Sequence, residues 1–225
     1  MSSAYLPIAL EHERSLSSML DKYIVPVIRK PLRLVATVLH RQGVTADTVT
    51  FIGFILGLAC IPLIAFDHNY LGLIFLLLNR IADGIDGELA RLQSATDAGG
   101  FLDITLDFIF YALFPLGFAL ADPAQNALPA AFLVASFVGS GASFLAFSTL
   151  AERHSVVNPD FEYKSLYYLN GLAEGTETIL CFVFMCLFAT NFAQIAWVFS
   201  LMCLITAINR VIFGYRTLKG LDEPL

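Results

Sequence analysis

The stretch Asp83–Asp107, DGIDGELARLQSATDAGGFLDITLD, sets two pairs of closely spaced aspartates, Asp83 with Asp86 and Asp103 with Asp107, into an otherwise strongly apolar chain. Asp83 and Asp86 are three residues apart, and Asp103 and Asp107 are four apart. On helices both spacings put the pair on one face. The connection between the two segments is short, so the helices are expected to be antiparallel neighbours whose acidic faces meet.

The surroundings of this stretch decide the fold class. Of 225 residues, 57% are hydrophobic and 14% are charged, whereas soluble domains carry about a quarter charged residues. A bilayer-crossing helix needs about 20 mostly apolar residues. Six segments are expected to cross: 48–66, 69–91, 99–122, 125–152, 172–190 and 192–215. The second is apolar only as far as Asn79 and then turns polar.

Positive charge is distributed one-sidedly. Arg14, Lys22, Arg29, Lys30, Arg33 and Arg41 precede the first span, Arg91 follows the second, Arg153 and Lys164 the fourth, and Arg216 and Lys219 the sixth. The positive-inside rule then places both termini and the polar end of the second span in the cytoplasm. Residues 16–41 are too charged to span and are expected to lie as an amphipathic helix in the interface, broken or bent at Pro26 and Pro31. The expected organisation is a juxtamembrane segment, 1–47, and a six-helix all-α membrane domain, 48–225, with the bacterial plasma membrane as its location. The start, MSSAYLPIALEHERS, lacks the basic and apolar regions of a signal peptide. Cys60, Cys181, Cys186 and Cys203 lie in apolar stretches without metal-site spacing.

Depth makes the acidic stretch informative. Asp83 lies about 12 Å along its helix from Arg91. Ionised carboxylates at such a depth need a wet cavity or a bound cation. Arg80 and Arg91 cannot balance four carboxylates, and oxygen-only ligands favour Mg²⁺ or Mn²⁺. Gly87, Gly99 and Gly100 leave room for a ligand. Gly99 also sits at a helix N-terminus, where exposed amides favour phosphate, with Arg91 one turn beyond Gly87. These features point to a two-metal phosphoryl-transfer site open to the cytoplasm.

The chain resembles the CDP-alcohol phosphotransferase family, whose signature is D-x2-D-G-x2-A-R followed by G-x3-D-x3-D. It matches at Asp83, Asp86, Gly87, Ala90, Arg91, Gly99, Asp103 and Asp107, with a seven-residue spacer, Leu92–Ala98. Thr45–Thr50, TADTVT, echoes a second family element, with Ala46 in place of the usual proline. The resemblance implies that Asp83, Asp86, Asp103 and Asp107 hold two metal ions and that Asp107 is also the base. It implies a pocket for the cytidine nucleotide and its pyrophosphate at Gly87, Ala90, Arg91, Thr96 and Gly99, closed by Asp47. The implied reaction transfers a substituted phosphate from CDP-diacylglycerol or a related CDP-alcohol to an alcohol, with release of CMP, in a homodimer. Nucleic acid is not expected among the partners.

The acceptor is less legible. Glu174 and Glu177 share a face at the start of the fifth span and could accept hydrogen bonds from a polyol or amino-alcohol. Arg153, Lys164 and Arg210 would instead suit a phosphorylated acceptor. Gly53 and Gly57 form a GxxxG pair, and Gly139, Gly141 and Ser143 give another small-residue face, either within the chain or between copies. Trp197 reads as an interfacial anchor. A cation or proton-coupled transporter is the alternative class, but it would not need the glycines and Arg91 at these spacings.

Overall fold

A computed structural model describes residues 21–153 and 175–222, and the chain is helical through nearly all of them. Helix α1 spans Asp21–Arg41, α2 Ala46–Ala65, α3 Asn69–Gln93, α4 Asp97–Ala121 and α5 Pro123–Arg153. Helix α6 spans Gly175–Leu187 and α7 Phe192–Asp222, joined through a 3-10 turn at Ala189–Asn191. The ends of α2 to α5 fall within a few residues of those expected, while the expected start of the fifth span at Leu172 lies outside the described residues.

Four helices, α2, α4, α5 and α7, are long and apolar enough to cross a membrane. Helix α3 is long enough, but Arg80, Asp83, Asp86, Glu88 and Arg91 make its second half polar. Helix α6 has 13 described residues, all but a few apolar. The distribution of side chains is that of a membrane protein. Phe51, Ile55, Leu120, Val198, Leu201 and Val211 point outward, while Asn79, Ser136, Ser140, Ser200, Thr206 and Arg210 are buried. A soluble bundle would not leave so continuous an apolar surface uncovered. The chain is an all-α integral membrane protein.

The core is aromatic. Phe110, Phe114 and Phe118 recur every fourth residue on α4, so they stack along one face. Phe182 of α6 lies flat on Phe114 with ring centroids 4.0 Å apart, and Phe192 of α7 on Phe118 at 4.5 Å. Side-chain area this large binds α6 and α7 to α4.

The glycine faces prove to be seams within the chain. A β-carbon at Gly53 would come within 2.8 Å of Ala82 Cβ on α3, and one at Gly57 within 2.9 Å of the Phe110 ring. Helix α2 therefore lies hard against both α3 and α4. On α5, Phe108 fills the space beside Gly141, and Gly139 faces Ala207 of α7. Trp197 is partly exposed near the start of α7 and rests on Phe132.

The expected break in α1 does not occur, and the helix runs on through Pro26 and Pro31. Each proline removes one intrahelical bond, but Leu32 and Ala36 on the following turns are seated against α3.

Candidate active site

The cleft is built by three helices. Asp83 and Asp86 come from α3, Asp103 and Asp107 from α4, and Thr50, Gly53 and Phe54 from α2 form the third wall. Asn79, Leu106 and Phe110 close its inner end, and the cleft is narrow and open to the outside. Carboxylate oxygens of Asp83, Asp103 and Asp107 lie within 4.8 Å of one another. Asp86 is 5% exposed, and its Oδ2 has no hydrogen-bond partner. The i,i+3 and i,i+4 spacings thus do bring all four carboxylates to one cleft.

A cation of the chain's own stands at the inner end. Arg80 Nη2 donates to Asp107 Oδ1 at 2.8 Å and Nη1 to Asp107 Oδ2 at 3.3 Å. Nη1 also approaches Asp83 Oδ1 at 3.6 Å and donates to the Tyr111 hydroxyl at 3.3 Å. Its guanidinium lies 5.5 Å from the ring centres of both Phe110 and Tyr111, a placement that favours a cation. Arg80 Nε donates to Asn79 Oδ1 at 2.8 Å, and Asn79 Nδ2 donates to the Gly53 carbonyl at 2.9 Å. All three nitrogens of the Arg80 guanidinium are thus engaged, and both oxygens of Asp107 are held by it. The sequence showed Arg80 only as a possible balancing charge, and Asn79 and the α2 wall carried no signal beyond being polar or small in a span.

One guanidinium against four carboxylates leaves the cleft strongly negative. Converging oxygens, and one buried carboxylate oxygen without a donor, suit a hard divalent cation rather than zinc or copper. The donor set fits the Mg²⁺ or Mn²⁺ expected from the sequence.

About one to two turns before the residues that α2 and α4 lend to the cleft, both helices begin at capped starts. Helix α1 stops at Gly43, which has φ 77°. Gly43 N donates to the His40 carbonyl at 3.0 Å and Val44 N to the Leu39 carbonyl at 3.1 Å, the paired bonds of a Schellman stop. Thr45 then caps α2, its hydroxyl accepting from Thr48 N at 3.3 Å. Thr96 caps α4 in the same way, accepting from Gly99 N at 3.1 Å, so this residue has a structural use whatever else it does. Gln93 staples the two turns: its amide donates to the Val44 carbonyl and accepts from Ala46 N. As a result Asp47 meets Gly99, where a β-carbon would stand 3.0 Å from Asp47 Oδ1.

Arg91 lies over Gly87, its Nη1 3.8 Å from where a β-carbon would be, and donates to Glu88 Oε1 at 2.8 Å. Ala90 is on the same last turns of α3.

The acceptor candidates are divided. Arg210 of α7 is buried on α5, donating to the Ser140 carbonyl at 3.3 Å and hydroxyl at 3.2 Å, with Phe144 against its guanidinium. Ser140 adjoins Gly141, which receives Phe108, the neighbour of Asp107. Glu177 lies in the first turn of α6, with Oε2 buried and unpartnered. Arg153 is the last residue of α5, and Lys164 and Glu174 lie outside the described residues.

Comparison with known proteins agrees with this architecture. The family model described as CDP-alcohol phosphatidyltransferase matches residues 43–211. Inner membrane protein YnjF of Escherichia coli is 51% identical over 205 residues, covering 91% of this chain and all of that protein. A phosphatidylinositol phosphate synthase of Streptomyces avermitilis is 28% identical over 216 residues, 87% of this chain and 82% of that one. In fold, the chain is similar to Mycobacterium tuberculosis phosphatidylinositol phosphate synthase PgsA1, solved with CDP-DAG bound, with a TM-score of 0.53, 21% identity, and coverage of 84% of this chain and 92% of that one. With the four signature aspartates gathered in one cleft and the family match spanning most of the sequence, the chain belongs to the CDP-alcohol phosphatidyltransferases.

Proposed function

We propose that this enzyme transfers a phosphatidyl group from CDP-diacylglycerol, or a related CDP-activated lipid, to a small alcohol and releases CMP. The observation that carries the reading is the convergence of Asp83, Asp103 and Asp107 within 4.8 Å, beside Asp86, in a cleft otherwise walled by apolar helices. Asp83, Asp86, Asp103 and Asp107 would hold two Mg²⁺ or Mn²⁺ ions, which neutralise phosphate oxygens and the departing CMP when bound.

The chain's own residues account for the rest. Arg80 and Asn79 set the angle of Asp107, which takes the proton from the acceptor hydroxyl as that oxygen attacks the β-phosphorus. The new P–O bond forms as the bond to CMP breaks, and positioning of this kind contributes much of the rate. Arg91, Gly87, Ala90, Thr96 and Gly99, with Asp47 closing the end, form the place for the nucleotide and pyrophosphate. The positive N-terminal end of α4, beside Gly99, favours phosphate.

We read α3 and α6 as crossing the membrane with the other four helices, α1 as lying in the interface, and both termini and the cleft as facing the cytoplasm. The name of the Streptomyces relative supports a phosphorylated polyol as acceptor, and the buried Arg210 behind Phe108, with Arg153 and Lys164, would provide its charge partners. Glu174 and Glu177 would accept hydrogen bonds from its hydroxyls. A homodimer in a bacterial plasma membrane completes the reading, supported by the inner-membrane name of the Escherichia coli relative for the location.

The test is metal-dependent CMP release by purified protein given CDP-diacylglycerol and a panel of alcohols, with Asp107→Asn as control. Release that requires Mg²⁺ or Mn²⁺, one acceptor and Asp107 is the expected result. No release with any donor and acceptor pair, from folded protein that binds no CDP, would overturn the reading in favour of cation transport.

A further inference from the structure

Glu88 occupies a variable position of the signature, between Gly87 and Ala90, and is nevertheless buried, with its side chain 4% exposed. A buried carboxylate persists only when donors surround it. Two guanidiniums meet on the same oxygen, Oε1: Arg29 Nε from α1 and Arg91 Nη1 from one turn further along α3. The approach of α1 is built for this contact. Leu32, one turn beyond Arg29, fills the space beside Gly84, where a β-carbon would stand 2.6 Å from Leu32 Cδ1. Ala36, Ala82, Leu89 and Val49 continue the same seam toward the start of α2.

From this geometry we infer that Glu88 is a positioning residue for the nucleotide end of the cleft, holding Arg91 over Gly87 and tying it through Arg29 to α1. The inference rests on the reading of Arg91 as a contact to the nucleotide pyrophosphate. An arginine side chain that is half exposed, as Arg91 is at 49%, has more rotamers open to it the fewer charge partners it keeps, and ordering it on binding weakens affinity. Glu88 removes that cost beforehand by fixing one nitrogen beside the turn that carries Asp86 and Gly87. Helix α1 thereby becomes a working part of the nucleotide site rather than an anchor alone.

The experiment measures CDP affinity, and KM and kcat for CDP-diacylglycerol, in purified wild type, Glu88→Gln, Arg29→Met, Arg91→Ala and the Glu88→Gln/Arg91→Ala pair. Glu88→Gln is expected to weaken CDP binding and raise KM by about tenfold, within the usual coupling range for residues of one ion-pair network, with kcat at saturation nearly unchanged. Arg29→Met moves both in the same direction by a smaller factor. In the Arg91→Ala background Glu88→Gln adds no further loss, which a merely structural role would not produce. Mn²⁺ binding at the aspartates serves as the control for folding. If Glu88→Gln does not fold, Arg29→Met and its pairing with Arg91→Ala carry the same comparison. Wild-type affinity in Glu88→Gln, or equal losses in both backgrounds, would overturn the inference while leaving the transferase reading intact. Wild-type protein that binds no CDP would remove both.

Discussion

Replacing Arg80 by glutamine removes a positive charge from the wall of a cleft that holds four carboxylates, and the direction of the effect on cation binding separates two roles for this residue. Arg80 makes two bonds to Asp107 and approaches Asp83, with its side chain 13% exposed. Breaking a fully buried pair costs about 3–5 kcal/mol. Here Asp107 is 29% and Asp83 37% exposed in an open cleft, so solvent screening reduces the stability loss to about 1–2 kcal/mol. The gain in cation affinity is of similar size. A divalent ion bound on the far side of the Asp107 carboxylate would stand roughly 6 Å from the guanidinium, and even at a bulk-water dielectric of about 80 the two repel by about 1.4 kcal/mol. Arg80→Gln should therefore bind Mn²⁺ about tenfold more tightly or better, read by electron paramagnetic resonance of free Mn²⁺ or by calorimetry in detergent. Turnover should fall at the same time, because Asp107 loses the partner that sets its angle. Unchanged or weaker Mn²⁺ binding would refute the reasoning and make Arg80 a brace for the aspartates rather than a resident charge.

Asp107→Asn should remain folded and membrane-inserted yet lose about 10²–10⁴ in turnover, measured as CMP release; near-normal turnover would remove its assignment as base. Gly57→Leu drives a side chain into the Phe110 ring, and overpacking of this kind costs about 1–3 kcal/mol, which a fall in thermal stability in detergent would register. Gln93→Ala leaves the Val44 carbonyl and Ala46 N–H without their partner at a cost of about 1–3 kcal/mol. It should also weaken CDP binding by loosening the turn that sets Asp47 against Gly99, while Mn²⁺ binding stays unchanged.

Local pattern carried far in this protein because its information is short-range. The i,i+3 and i,i+4 spacings of the aspartates put each pair on one face, and the short Ser94–Thr96 connection turns one face toward the other. The helices start at Ala46 and Asp97, two residues ahead of the expected spans, because Thr45 and Thr96 cap them. Proline chemistry misled at Pro26 and Pro31, where the docking of α1 on α3 outweighs two lost backbone bonds. Arg80 and Arg91 were equivalent in sequence as partners for the aspartates. They differ because Arg80 lies three residues before Asp83, inside the α3–α4 contact, whereas Arg91 is one turn beyond Glu88 and turns to it.

The sequence by itself determined that this is a membrane-embedded, all-helical chain with a polyacidic phosphoryl-transfer signature, because hydropathy and helical periodicity depend only on neighbours along the chain. Tertiary structure alone decided that α2 walls the cleft, that Asn79 and Arg80 align Asp107, that Gln93 brings Asp47 to Gly99, and that Glu88 joins α1 to Arg91. These contacts link residues distant in sequence, so they depend on how helices rotate and cross. Close-packed seams at Gly53, Gly57 and Gly84 fix those rotations, and the GxxxG spacing of Gly53 and Gly57 marks a packing face without naming the helix that fills it.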